Sequence, residues 1–242
     1  MRDILLSRRK LLVAAGSGVL GVAVLNTLTA CSSDEGAGGN APTAPPSADL
    51  GGWDRVEMSN VAAYLLVRGK EAAVVDLGLA NSSKAIEEGL KAADSGWDQV
   101  RHIILTHHHP DHAGGLTGLS ADAKGTFYAG EGDVASIVTD RTLKPVKDGD
   151  EVFGLRIVGT PGHTPGHIAV FDPALGVLVA GDALNTQNGL AGSNPQFTAD
   201  AKQAAESVRK MAALQVKAIL PGHGDPLITN AAEELRKLAA TV

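Results

Sequence analysis

Positions 107 to 112 of this 242-residue chain read His107, His108, His109, Pro110, Asp111 and His112. Imidazole nitrogen and carboxylate oxygen are donors for first-row divalent metals, and zinc takes them at about 2.0 to 2.2 Å. So many polar groups in so short a segment are costly to bury without a partner. In an extended chain alternate side chains share a side, so His107 and His109 face one point and His108 faces away. A turn at Asp111 and His112 aims two more donors at a neighbouring point, and the segment could serve two ions. Three further donors stand elsewhere: His163 after Thr160, Pro161 and Gly162, Asp182 after Gly181, and His223 after Pro221 and Gly222.

Each donor group follows a short apolar run: 102–106, 155–158, 177–181 and 216–220. Runs of this length closed by Gly, Pro or Asp read as strands, and a sheet edge is a rigid place to hold a site. Residues 61–67 and 72–77 read as a strand pair turning at Arg68, Gly69 and Lys70, and 168–171 as a further strand. Ser82 and Ser83 cap a helix running to about Ala93, with Ala85, Ile86, Leu90 and Ala93 at helical spacing. Thr198 is expected to cap a second helix from 199 to about 214, and 230–241 forms a third. Strands mixed with helices, without repeats, indicate an α/β or α+β domain.

The series His-x-His-x-Asp-His, Thr-Pro-Gly-His, Gly-Asp and Pro-Gly-His-Gly, spread over residues 53–242, resembles the metallo-β-lactamase superfamily. The resemblance implies a four-layer αβ/βα sandwich with the site at one edge between two sheets. It implies that His107, His109 and His163 hold one metal and that Asp111, His112 and His223 hold the other, with Asp182 bridging both. The implied cofactor is two zinc ions, with iron or manganese as alternatives. A metal-bridging hydroxide would attack an ester, thioester or lactone carbonyl of a small molecule, with Asp111 also moving a proton. Asp76 and His167 are candidates to orient ligands.

The true β-lactamases of the superfamily lack an aspartate at the place of Asp182, which favours the glyoxalase II-like and lactonase-like branch. Nineteen residues follow His223, fewer than the helical extension with which glyoxalase II grips glutathione. Many lactonases carry a tyrosine where this chain has Asn185, whose amide could support the substrate oxyanion instead. Residues 185–198, with Gly189, Gly192 and Pro195, read as the loop that sets specificity. A β-lactamase, a mononuclear iron enzyme of the persulfide dioxygenase type and a non-catalytic metal-binding lipoprotein are the alternatives.

Residues 1–30 read as an address. Arg8 and Arg9 ahead of a mildly apolar stretch resemble a twin-arginine signal, and Leu28, Thr29, Ala30 and Cys31 resemble a lipobox in which Cys31 is lipidated. An uncleaved membrane anchor, or a secretory signal with an incidental cysteine, are the other readings. Residues 31–52, rich in Gly, Ala, Pro and Ser, form a flexible tether, and the domain spans 53–242. The expected location is the outer face of a bacterial cytoplasmic membrane, held by a lipid at Cys31. With 44% hydrophobic and 20% charged residues the chain has the composition of a globular protein. Its formal charge is −6, and removing the first thirty residues, with four basic groups and one acid, leaves −9. That charge repels phosphate backbones, so no nucleic-acid partner is expected. Cys31 is the single cysteine, so the domain has no thiolate ligand.

Overall fold

The computed structural model describes residues 50–242. The signal segment 1–30, Cys31 and all but the last three residues of the tether lie outside the described residues. Leu50 already packs against the apolar layer between the two sheets.

The first sheet holds six strands in chain order: β1 (Trp53–Met58), β2 (Val61–Arg68), β3 (Glu71–Val75), β4 (Val100–Leu105), β5 (Thr126–Gly130) and β6 (Leu143–Val146). β1 to β3 form an antiparallel meander, and β3 to β6 run parallel. Helix α1 (Ser83–Ala92) connects β3 to β4, and the single-turn helix α2 (Pro110–Ala113) follows β4. The chain then forms β7 (Glu151–Val152), β8 (Leu155–Gly159), β9 (Ile168–Asp172) and β10 (Val177–Gly181), a small hairpin of β11 (Leu184–Asn185) and β12 (Ala191–Gly192), helix α3 (Ala201–Ala212), β13 (Ala218–Pro221) and helix α4 (Ala231–Ala239). The second sheet has the order β13-β10-β9-β8-β7, with only the β10–β13 pair parallel.

Three apolar layers bind these elements, and strand alternation sorts residues between them. Val61, Ala63 and Leu65 of β2 face the layer under α1 with Ile86 and Leu90. Ala62, Tyr64 and Leu66 face the second sheet, where they meet Leu155 and Ile157 of β8, Val177 and Val179 of β10, and Leu220 of β13. Leu178 and Ala180 of β10 turn outward to Val208 and Met211 of α3 and Leu235 of α4. A sheet buried on both faces must be apolar at every position, which explains the unbroken runs in the sequence. Helix, sheet, sheet and helix make the expected four layers.

Several elements differ from the sequence expectation. α3 is capped by Asp200, whose Oδ1 accepts from the Gln203 N–H at 3.0 Å, and not by Thr198. Asp200 lies directly before the first helical residue, whereas the Thr198 hydroxyl donates to the Asn194 carbonyl at 2.6 Å. Residues 185–198, expected as a loop, contain part of the β11–β12 hairpin and a 3-10 turn, Pro195–Phe197. β1, β5, β6 and β7 were not foreseen; none is longer than six residues and β7 has only two, too short for a periodic pattern to mark them.

Candidate metal centre

β4 delivers the histidine segment. Thr106 and His107 are fully buried at its end, His109 is extended at φ −62° and ψ 148°, and Pro110 occupies the first position of α2. Proline fits there because that residue's N–H has no helical partner. The His109 carbonyl accepts from the His112 and Ala113 N–H groups, and this turn swings Asp111 and His112 back toward His107.

His107 Nε2 and His163 Nε2 lie 3.1 and 2.9 Å from His109 Nδ1. Across the site Asp111 Oδ2 lies 3.3 Å from His223 Nε2 and 3.9 Å from His112 Nε2. Asp182 reaches both groups: Oδ1 lies 3.2 Å from His112 Nε2, and Oδ2 lies 3.5 Å from His163 Nε2 and 3.3 Å from His223 Nε2. All seven side chains expected as ligands therefore meet at one edge of the two sheets. His108 points elsewhere, with Nδ1 3.0 Å from Asp133 Oδ2.

Four of the five histidine rings of the cluster, all but His109, are held from behind. Asp76 Oδ1 accepts from the Thr106 N–H, and its Oδ2 accepts both from the Thr106 hydroxyl and, at 2.8 Å, from His112 Nδ1. The Thr106 hydroxyl, having donated to Asp76, accepts from His107 Nδ1 at 3.0 Å. One buried carboxylate thus orients two rings with Nε2 facing inward. His223 Nδ1 donates to the Asn60 carbonyl at 2.6 Å, which turns its Nε2 toward the cluster. His163 Nδ1 donates to Ser193 Oγ, and that hydroxyl donates to Thr198 Oγ1 at 2.7 Å. His167 acts on the backbone: the Asp182 N–H donates to its Nε2 at 3.1 Å, so Nδ1 carries the proton and donates to Thr160 at 2.8 Å.

Sequence reading missed Thr106, Thr160, Ser193 and Asp133. Asp133 is fully buried, with Oδ2 accepting from the His108 N–H and the Thr164 hydroxyl, and Oδ1 from the Gly166 N–H. It pins the segments that carry His107 to His109 and His163 to each other. No spacing rule could find it, because its partners are 25 to 33 residues away.

The protein's own charges divide the cluster. Burial lowers His107 well below the usual imidazole value and brings His163 to about 4, with nearby imidazoles adding to the effect. At His112 burial acts in the same direction, but Asp182 and Asp76 overcome it and hold the ring well above its ordinary value. His223 rises to about 10, chiefly through Asp111 and then Asp182. Burial disfavours the Asp182 charge, yet His112 and its neighbours hold that carboxyl well below the ordinary range.

The residues fit a divalent cation at two points. His107, His109 and His163 turn ring nitrogens toward one another while the outer nitrogens of His107 and His163 are committed, so lone pairs confront each other. His112 Nε2 and Asp182 Oδ1 are buried with no hydrogen-bond partner despite their proximity. Within each of three ligand sets, His107 with His109 and His163, His107 with His112 and Asp182, and Asp111 with His112 and His223, the donor atoms fall within 4.8 Å. Gly222 is required beside them: a Cβ there would sit 2.4 Å from Asp182 Oδ1 and 2.6 Å from His112 Cε1. A cavity of about 330 Å³ opens over the cluster. Asn185 is on its wall, with its amide nitrogen donating to the Gly192 carbonyl at 2.6 Å. That bond ties one donor of the expected oxyanion support to the hairpin.

The family model of the metallo-β-lactamase superfamily matches residues 57–223. A probable metallo-hydrolase, YflN of Bacillus subtilis (strain 168), is 30% identical over 213 residues, covering 69% of this chain and 80% of the relative. A hydroxyacylglutathione hydrolase of Rhodospirillum rubrum is 35% identical over 153 residues, and the match covers 61% of this chain and 55% of that protein. Among solved structures, a metallo-β-lactamase family protein from Thermus thermophilus superposes with a TM-score of 0.62 at 25% identity, covering 78% of each chain. The chain belongs to the metallo-β-lactamase superfamily.

Proposed function

We propose that this chain is a binuclear zinc-dependent hydrolase acting on the ester, thioester or lactone carbonyl of a small molecule. The observation that carries the reading is the meeting of two ligand groups on a shared Asp182 beneath an open cavity. His107, His109 and His163 would hold one ion, Asp111, His112 and His223 the other, and Asp182 would bridge. Bound zinc supplies Lewis acidity and lowers the pKa of water, which makes a nucleophile available near neutral pH.

The chain's own residues supply the rest. Asp76, Thr106, Ser193 and Asn60 keep ring nitrogens turned inward, so few ligand rotations remain to be frozen when the site forms. Asp111 is partly exposed, lines the cavity and is held ionised first by its contact with His223. It can accept a proton from the attacking water and release it to the leaving group. The relatives named as hydroxyacylglutathione hydrolases lend support to a thioester among the candidate bonds.

A panel of small esters, thioesters and lactones offered to the zinc-loaded protein tests the reading, with elemental analysis alongside. Two zinc ions per chain and turnover of at least one class are expected, with a loss of about 100-fold or more in Asp111→Ala. No class turned over faster than by that variant would overturn it. We also propose export with a lipid on Cys31, on the strength of the residues at 8–9 and 28–31. Incorporation of a radiolabelled fatty acid in a bacterial host, abolished by Cys31→Ala, is the expected result.

A further inference from the structure

The cavity offers more hydrogen-bonding capacity than cleavage of a carbonyl requires. Beside the ligands it is walled by Asn60, Asn185, Gln187, Asn194 and Phe197. Asn60 engages His223 through its backbone carbonyl, and neither its carboxamide nor that of Gln187 has a hydrogen-bond partner among the described residues. Asn194 Oδ1 accepts from the Gln196 N–H at 3.0 Å, and its amide nitrogen has no hydrogen-bond partner among the described residues. Phe197 stands at the rim with 57% of its surface exposed. Among the described residues lining the cavity there is no lysine or arginine. Arg55, behind the segment that carries His223, is committed to Asp225 and the Gly224 carbonyl, both at 3.0 Å.

Carboxamides offer donors and acceptors without charge, so they satisfy amides and hydroxyls well. Asn60, Gln187 and Asn194 are exposed at the cavity mouth, so an ionised carboxylate or phosphate docked among them, away from the ligand cluster, gives up part of its hydration and gains no cation. We propose that this cavity selects uncharged substrates: carboxylic derivatives whose flank beyond the reacting carbonyl carries amide or hydroxyl groups and an apolar arm, with no anionic group. Asn60, Gln187 and Asn194 read the polar groups, and Phe197 covers the arm. The inference rests on the hydrolytic reading for the reaction, but the selection by charge is a property of binding.

The test uses two pairs of probes on the zinc-loaded full chain. One pair is an S-acyl N-acetylcysteamine and the matching S-acyl N-acetylcysteine, which differ only by a carboxylate. The other is their non-hydrolysable thioether analogues, whose binding is measured by calorimetry. The neutral member should lead by at least about tenfold in kcat/KM and in Kd. Gln187→Lys should narrow or reverse both ratios, while Phe197→Ala should weaken both members of each pair and leave the ratio in place. Neutral preference in the thioethers without turnover of either thioester would sink the hydrolytic reading and keep the selection. Turnover of both thioesters with equal or better use of the anion would overturn the selection and keep the hydrolase. Failure of the neutral thioether to bind would also overturn the selection.

Discussion

A ligand histidine is only as good as the atom behind it, and here Asp76 stands behind two of them. It sits at φ 62°, a left-handed conformation that aspartate and asparagine tolerate better than most residues, and from there it meets both Thr106 and His112. Asp76→Asn preserves shape and backbone while removing the charge that favours the His112 Nδ1 proton. Zinc affinity, measured by competition with a chelator, should fall about 10- to 100-fold. His167 is a different kind of residue, a buried imidazole kept neutral so that it can accept from the Asp182 N–H. Burial, followed by the field of His163, lowers it to about 3. Its folded value lies below its unfolded one, so the unfolded chain binds the proton more readily. The contribution is full above about pH 6.5 and is lost as pH falls toward 3. Between pH 7 and pH 5 the zinc-stripped protein should lose on the order of 2 kcal/mol more stability than His167→Gln, read by urea denaturation.

At the scale of elements, the centre exists because two sheet edges are held together by the segments between their strands. β5 approaches the segment between His163 and β9 so closely that a Cβ on Gly130 would sit 1.9 Å from the Gly166 carbonyl oxygen. Asp133, just past β5, accepts donors from both ligand-bearing segments. Asp133→Ala would leave the buried Thr164 hydroxyl and Gly166 N–H without a partner, at a cost of about 3 kcal/mol by urea denaturation. The same variant should bind zinc more weakly, because His163 and His109 no longer share a fixed frame. Ser193 and Thr198 link His163 to the segment that carries Asn194 and Phe197. Ser193→Ala should therefore lower zinc affinity by about tenfold and, because it strands the buried His163 Nδ1–H, cost about 1 kcal/mol in urea denaturation.

For the molecule as a whole, the end of the sandwich opposite the metal centre carries its own clamp. Asp172, fully buried at the end of β9, accepts from Trp53 Nε1 of β1 at 3.2 Å and from Arg68 of β2 at 2.6 Å. Arg68 also donates to the Phe153 carbonyl and lies over the Phe153 ring. The clamp joins the two sheets, and breaking it strands the buried Trp53 Nε1–H and releases the part-exposed Arg68 guanidinium. Asp172→Ala should cost about 3 kcal/mol in urea denaturation with zinc affinity unchanged. A fall in zinc affinity as large as that of Asp76→Asn would show that the two ends are coupled.

Much of this was legible in the chain. The donors His107, His109, Asp111, His112, His163, Asp182 and His223 stood out as candidates because four apolar runs each lead into one of their groups, and local spacing determines which way neighbouring side chains face. The same period-2 rule set His108 apart. Asp76 stood out only as a carboxylate at a strand end; its contact with His112 depends on the parallel pairing of β3 with β4. Asp133 and Ser193 carried no signal, since a hydrogen bond between residues far apart in sequence leaves no periodicity. The cap at Asp200 is a local bond to Gln203 that the placing of the helix start at Thr198 passed over, and Asn185 is tied within its own hairpin; the gathering of Asn60, Gln187 and Asn194 around one cavity belongs to the tertiary structure. Sequence alone determined which atoms could bind metal, because donor chemistry and strand alternation are local; only the packing of two sheets decided which groups orient them and what the cavity above them can receive.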